Sequence, residues 1–107
     1  MLPFFIFTCM AFTYIIYSKK LDRFYIGATQ DSVHSRIEKH NSSHHGKNHF
    51  TAKADDWLLF LSFETKNYAH AIRLERKIKA MKSKIYINNL KKYPELKTKI
   101  YHETIST

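Results

Sequence analysis

The sequence predicts a small α+β domain, in which a three-stranded antiparallel sheet is flanked by three helices in the order β-β-α-β-α-α. Two observations predict the sheet. Apolar runs at 12–17 and 24–28 surround a short polar connector, and a third apolar run follows at 57–63. Elsewhere the apolar spacing changes to steps of three and four residues, which predicts helices. The 107 residues, 44% hydrophobic and 15% aromatic, suffice for one core and exclude a disordered chain.

The first two strands are predicted to form a hairpin. Residues 12–17 are β-branched and aromatic, 18–23 are polar, and 24–28 are apolar again. This assignment leaves residues 1–10 as an apolar N-terminal extension. A membrane anchor within residues 1–18 stays open as an alternative, although this stretch contains polar residues and a span needs about 20 apolar ones.

A short helix is predicted over 31–40, where Val33 and Ile37 lie four residues apart. Thr29 or Asp31 is the expected N-cap, because both side chains can accept a hydrogen bond from a free backbone N–H at a helix start.

The second half of the chain contains a loop, a strand and the clearest helix. Residues 41–56 are polar without periodicity, and 57–63 is apolar enough to be a central strand, with Trp57 in the core. The helix covers 68–83, and its apolar stripe comprises Ala71, Leu74, Ile78, Met81 and Ile85.

A last short helix over 85–93 is closed by Pro94, and residues 95–107 read as a polar C-terminal tail. The folded domain is therefore expected to span 11–94.

The charge favours a polyanionic partner. Eighteen Lys and Arg face nine Asp and Glu, a formal charge of +9, which favours nucleic acid first and an anionic membrane surface second. Ten basic residues but only two acidic ones lie between 73 and 99, and a solvated helix face is the alternative interpretation. The residues of this stretch predicted to bind nucleic acid are Arg73, Lys82, Lys84, Lys91 and Lys92.

The loop also carries histidines, which suggest either a zinc site or a nucleic-acid groove. Cys9 is the only cysteine, which excludes a disulfide scaffold and an all-cysteine zinc site and fits a cytoplasmic location. Lys47 and Lys53 lie in the same loop and favour the groove. The histidines concerned are His40, His44, His45 and His49.

Glu75 has the position of a metal ligand. It falls at the edge of the apolar stripe, where a carboxylate is half covered, and it is surrounded in sequence by cations. Mg²⁺ commonly binds one or two carboxylates together with water and a substrate phosphate. An ordinary ion pair with Arg76 or Lys79 is the alternative.

Arg36 and His40 lie four residues apart on the predicted first helix, next to its apolar positions. Both side chains are therefore expected near the core side of that helix. A surface or capping role is the alternative for each.

Taken in order, these residues resemble a known family. The two predicted strands of the hairpin contain the runs Phe12-Thr13-Tyr14 and Tyr25-Ile26-Gly27. The predicted helices that follow carry Arg36, His40 and Glu75. This set resembles the GIY-YIG endonuclease superfamily, in particular its small single-domain members, over roughly residues 11–93.

Two features depart from or extend the family pattern. Phe12 and Thr13 stand where the first motif has Gly and Ile, and Asn88 is the nearer of two candidates for a family asparagine. Gly27 is expected to let the first helix and the substrate backbone come close, because it lacks a side chain.

The resemblance implies a role for each site residue. Tyr14 would be the general base, with Tyr25 as its neighbour and substitute. Arg36 would hold the phosphate, and His40 would orient the water or Tyr14 or relay its proton. Glu75 would hold a single Mg²⁺ or Mn²⁺ ion.

The function implied is a metal-dependent endonuclease acting on nucleic acid, with DNA favoured over RNA and without a small-molecule cofactor. A protein partner that supplies specificity is left open. The alternatives are a nucleic-acid-binding module of the same fold with weak or lost turnover, and a membrane-associated protein.

Overall fold

The computed structural model describes residues 10–42 and 50–106. The sheet is antiparallel, in the strand order β2-β1-β3. The predicted α+β class is confirmed, and the described residues contain one helix more than expected. The elements are β1 (Ala11–Ser18), β2 (Arg23–Thr29), α1 (Val33–Ser42), a 3₁₀ turn (Phe50–Lys53), β3 (Leu58–Thr65), α2 (Tyr68–Met81), α3 (Lys84–Lys92) and α4 (Pro94–Glu103).

The central strand is β1, which pairs with both β2 and β3. The predicted hairpin of β1 and β2 is confirmed, but the prediction that the third strand is central is wrong. β3 is an edge strand, and Leu58 and Leu59 are 72% and 49% exposed. An apolar run indicates how much a strand can bury, whereas its place in the sheet depends on which strands pair with it.

The two faces of the sheet bury different residues, because successive side chains of a strand point to opposite sides. The apolar face carries Ile15, Ile26 and Phe63, which pack against α2, α3 and α4 through Leu74, Ile78, Ile87, Leu90 and Ile100. The tyrosine face carries Tyr14 and Ile16, which pack with Ala54 and Trp57 and with the partly buried Tyr25, Val33 and Ile37.

Local capping sets the helix starts. Ser32 Oγ accepts a hydrogen bond from the Ser35 N–H at 3.1 Å, so Ser32 is the cap of α1 in place of Thr29 or Asp31. Asn67 Oδ1 accepts from the His70 N–H at 2.8 Å at the start of α2.

The predicted stripe of α2 is only partly buried. Ala71, Leu74 and Ile78 are buried, whereas Met81 and Ile85 are 46% and 75% exposed. The helix ends at Met81, and Lys82 adopts a left-handed conformation with φ 47°. This turn changes the direction of the chain, so the periodicity does not continue into α3.

The prediction of a polar tail over 95–107 is wrong as far as Glu103. Pro94 occupies the first turn of α4, where its missing N–H costs nothing, and Ile100 is buried in the apolar cluster. Leu96 and Ile100 lie four residues apart, but Leu96, Ile100 and Tyr101 alone give the helix only a weak periodic signal.

Parts of two predicted segments lie outside the described residues. These are 1–9 of the N-terminal extension and 43–49 of the polar loop, which includes Lys47, His44, His45 and His49. In the part of the chain that the structure describes, no helix is long and apolar enough to cross a membrane. Residues 11–18, the second half of the alternative anchor, form the central strand β1 instead.

Candidate active site

Tyr14 and His40 form the centre of the candidate site. Tyr14 lies on β1 and His40 near the end of α1, and they are 1% and 2% exposed. Tyr14 Oη lies 2.9 Å from His40 Nε2. The other ring nitrogen, Nδ1, lies 2.8 Å from Thr51 Oγ1 in the 3₁₀ turn. Three segments of the chain therefore meet in one buried chain of hydrogen bonds.

Gly27 makes this contact sterically feasible. It stands opposite Tyr14 in the β1–β2 pair, and a Cβ at this position would lie 2.5 Å from Tyr14 Oη and 2.6 Å from Cζ. The expectation that Gly27 makes room for the first helix and the substrate backbone needs correction. The space above this glycine is filled by the Tyr14 phenol, which crosses β2 to reach His40.

Tyr25 completes the aromatic part of the site. Its ring centroid lies 5.0 Å from that of His40 and 6.5 Å from that of Tyr14. It also meets Trp57 edge to face at 6.5 Å. Tyr25 is half-buried and so lies nearer to solvent than Tyr14.

Two residues that the sequence analysis did not single out hold α1 against the following segment. Asn41 Oδ1 accepts from the Trp57 N–H at 2.6 Å, and its Nδ2 donates to the Trp57 carbonyl at 3.0 Å. Trp57 Nε1 donates to the Thr51 carbonyl at 2.9 Å, and Trp57 is in the core as predicted. Asn41 and Thr51 lie in a polar stretch of ordinary composition, so no sequence signal marks them.

Arg36 lies one helical turn before His40 and is half-buried. Its Nε is shielded from solvent, and it has no hydrogen-bond partner within residues 10–42 and 50–106. A shielded donor without a partner is costly in a folded protein. This donor is therefore available for an acceptor that enters the site.

The Tyr14 hydroxyl is a weaker acid than an ordinary phenol. Burial raises the pKa of Tyr14 above 10.0, and the nearby Tyr25 and Glu75 raise it further. A side-chain hydrogen bond with Arg36 and, to a smaller extent, the positive charge of Arg36 oppose these effects and lower the pKa. Since burial dominates, Tyr14 is protonated at neutral pH and its oxygen can act as a base only while it passes its own proton on.

Glu75 reaches this cluster from α2. Its side chain is 16% exposed, as expected at the edge of the buried stripe, and Oε2 lies 2.7 Å from Lys79 Nζ. Lys79 Nζ in turn lies 5.8 Å from the centroid of the Tyr25 ring. The ion pair considered as an alternative is therefore present, and it lies beside the tyrosines.

The carboxylate oxygens of Glu75 fit the role of ligands to a loosely held divalent cation. Across the described residues, no three His, Cys, Asp or Glu side chains are grouped to hold a metal. A protein-only cage is therefore not formed there. A single carboxylate suits Mg²⁺, which completes its shell with waters and phosphate oxygens. In the free protein the Lys79 ammonium is the cation at this carboxylate.

Two of the residues predicted to bind nucleic acid, Arg73 and Lys84, contact other parts of the fold. Arg73 donates to the carbonyls of Thr104 and Ile105 after α4. Lys84 Nζ donates to the Asp22 carbonyl at 2.8 Å in the β1–β2 turn. Both side chains are thus hydrogen-bonded to backbone carbonyls of the protein itself.

Three further predicted cations, Lys53, Lys91 and Lys92, lie over aromatic rings. Lys91 Nζ lies 4.7 Å from the Phe60 ring centroid, and Lys92 Nζ lies 5.4 Å from that of Tyr93, while Lys82 is exposed. Phe60 packs against the apolar cluster, on the other side of the sheet from Tyr14. Lys53 differs, because it follows Thr51 by two residues and lies 5.4 Å from the Phe50 ring.

Asn88 does not join the site either. It is exposed on α3, where Nδ2 donates to the Lys84 carbonyl at 2.9 Å. It lines a groove with Phe24 and Phe60, both of which pack against the apolar cluster.

The fold and the site define a small α+β catalytic domain in which phenol, imidazole and guanidinium groups meet on one face of the sheet, with a carboxylate beside them. The model of the GIY-YIG catalytic domain matches residues 10–93, and the chain belongs to this family. The family is of nuclease type and implies a nucleic-acid substrate. No curated protein and no solved structure matched the chain.

Proposed function

We propose that this protein is a divalent-metal-dependent endonuclease that hydrolyses phosphodiester bonds of nucleic acid, with DNA as the preferred substrate and Mg²⁺ or Mn²⁺ as the cofactor. The observation that carries the proposal is the 2.9 Å contact of Tyr14 Oη with His40 Nε2, on a domain of a nuclease-type family. A buried phenol in contact with imidazole is an arrangement for moving a proton.

The proton path follows from the hydrogen bonds of His40. When Nδ1 carries the ring proton, it donates to Thr51 Oγ1, and Nε2 accepts the proton of the Tyr14 hydroxyl. Tyr14 then takes a proton from the attacking water as it gives its own to Nε2. The phenol never has to exist as a free phenolate, which its raised pKa disfavours.

Arg36 and Glu75 supply the charges that phosphodiester hydrolysis needs. The shielded Nε of Arg36 would donate to a phosphate oxygen, where the fork of the guanidinium suits the developing negative charge. Glu75 would hold the metal ion. The bound metal would neutralise charge on the phosphate and the leaving oxygen.

The test is a cleavage panel of labelled duplex, nicked, flapped and branched DNA and RNA, with Mg²⁺ or Mn²⁺. Wild type is expected to cut with either metal, and Glu75→Gln to lose on the order of 100-fold or more in rate. Glu64→Gln is the matched control, because Glu64 is an exposed carboxylate in a groove with Lys97 and His102.

The panel separates the alternatives. Cleavage that survives Glu75→Gln unchanged contradicts the assigned site. Binding of these substrates without cleavage by wild type indicates a binding module of the same fold.

A further inference from the structure

Lys79 is a cation of α2 that lies beside two of the proposed site residues, Glu75 and Tyr25. Its ammonium lies 2.7 Å from Glu75 Oε2 and 5.8 Å from the centroid of the Tyr25 ring. The Lys79 side chain is 49% exposed, whereas that of Glu75 is 16% exposed. The ammonium therefore covers the solvent side of a carboxylate that is otherwise enclosed.

This ion pair is easy to open. Glu and Lys four residues apart on a helix interact weakly, because one partner remains hydrated and mobile. A divalent cation at Glu75 would compete with the ammonium for the carboxylate and would also repel it. A metal ion at Glu75 would therefore weaken the Glu75–Lys79 pair.

A displaced ammonium would remain above the site. The lysine stem is flexible, and the face of the Tyr25 ring attracts a cation through its quadrupole. The three donors of the ammonium then lack an anionic partner, and the backbone of a nucleic acid offers phosphate oxygens at the same place.

We infer that Lys79 is a phosphate-binding residue of this site, paired with Glu75 in the free protein and transferred to a substrate phosphate when a divalent cation takes the carboxylate. The inference rests on the proposed function, since it assumes a metal at Glu75 and a nucleic-acid substrate.

The same helix offers a matched control. Lys77 is 48% exposed, nearly the same as Lys79, and pairs with Glu103 of α4 at 3.5 Å. Lys79→Gln and Lys77→Gln each remove one positive charge from α2, and only the first removes a contact of Glu75. Thermal unfolding of both variants checks that they fold.

The first readout is Mn²⁺ binding to the full chain without nucleic acid. The binding is measured from the electron paramagnetic resonance signal of the Mn²⁺ that remains free. Lys79→Gln is expected to bind Mn²⁺ about two- to tenfold more tightly than wild type, because the competing ammonium is gone. Lys77→Gln should stay close to wild type, and Glu75→Gln should lose the binding. Equal affinities of the two lysine variants, Mn²⁺ binding that survives Glu75→Gln, or no binding by wild type overturns the inference.

The second readout is the salt dependence of duplex binding with Mn²⁺, in a Tyr14→Phe background that suppresses cleavage. Lys79→Gln should reduce the slope of log affinity against log salt by about 0.9, the value for one lost phosphate contact on duplex DNA. Lys77→Gln should keep the slope, and equal slopes overturn the inference.

Neither readout requires turnover, which keeps the two proposals distinguishable. If wild type fails to cut every substrate while both readouts hold, the endonuclease proposal fails and Lys79 remains a phosphate-binding residue. If wild type cuts while either readout fails, the endonuclease stands and Lys79 is a surface ion pair.

Discussion

The two faces of the sheet are equally buried at β1, but they differ in the kind of contact that their side chains make. Tyr14 and Ile15 are neighbours on β1 and are 1% and 0% exposed, yet they point to opposite sides. Ile15 packs among aliphatic side chains such as Leu74 and Ile78. Tyr14 lies against His40 and, through it, Thr51.

The difference lies in how strictly each face constrains its residues. Hydrocarbon contacts are non-directional, so the apolar face stabilises the fold through the area it buries and tolerates small shifts. Hydrogen bonds between buried polar groups need set distances and angles, and each lost partner leaves a desolvated group. The apolar face should therefore respond to substitution mainly in stability, and the tyrosine face mainly in activity.

The largest stability effect is expected on the apolar face. Ile15→Ala removes a fully buried side chain next to three helices and should cost about 2–5 kcal/mol in the free energy of unfolding. Urea unfolding measures this change in the free energy of unfolding. The folded fraction should cleave at the wild-type rate, and a loss below about 1 kcal/mol would contradict the central role of this cluster.

The largest activity effect is expected one residue earlier. Tyr14→Phe keeps the ring but removes the hydroxyl that contacts His40, and cleavage should fall on the order of 100-fold or more. The unfolding free energy should change by only about 1 kcal/mol. Tyr17→Phe is the control, because Tyr17 donates to Asp22 in the hairpin, away from His40. A similar loss in both variants argues against a special role of Tyr14.

Gly27→Ala should lower both the cleavage rate and the stability of the fold. The new methyl group would lie 2.5 Å from Tyr14 Oη and must push the phenol away from His40, which should lower cleavage by at least about tenfold and stability by about 1–3 kcal/mol. Because the substitution acts through the phenol, it should add little to the activity loss of Tyr14→Phe. Fully additive activity losses in the double variant would mean that Gly27 acts on another group.

Thr51→Val should give a smaller effect on the same face. It is isosteric but removes the hydroxyl beside His40 Nδ1, so the imidazole loses one of the contacts that orient it. Cleavage should fall by about three- to tenfold, and Thr51→Ser should restore it. Failure of serine to restore cleavage would assign the loss to packing.

The smallest effect is a pH dependence of stability on the opposite side of the fold. His70 Nδ1 accepts from the Lys66 N–H at 3.1 Å, and Nε2 lies 3.1 Å from the Tyr101 carbonyl, so the neutral ring joins α2 to α4. Burial lowers the pKa of His70 below 6.5. The hydrogen bond to the Tyr101 carbonyl raises this pKa, whereas the positive charges of Arg73, Lys66 and His102 lower it further.

The sign follows from which state binds the proton first. The unfolded chain takes it up near pH 6.5, before the folded protein does, so stability is full above this pH and falls as the pH drops through it. Urea unfolding at pH 7.5 and 5.5 should show a larger loss for wild type than for His70→Gln. Equal losses would assign the pH dependence to other groups.

Local sequence patterns determined much of the fold and the residues of the site. The hairpin, the helix that carries Arg36 and His40, and the helix that carries Glu75 follow from apolar periodicity and polar connectors, which act over a few residues. The order of Tyr14, Tyr25, Arg36, His40 and Glu75 along these elements indicated the family that the domain match confirmed.

The tertiary structure decided the contacts that join distant segments. Tyr14 meets His40 across 26 residues, and Thr51 joins them from a turn of ordinary composition. The space above Gly27, the edge position of β3 and the burial of Ile100 depend likewise on register and packing. A hydrogen bond or a van der Waals contact depends on distance in space, and residue type and spacing along the chain do not specify that distance between elements.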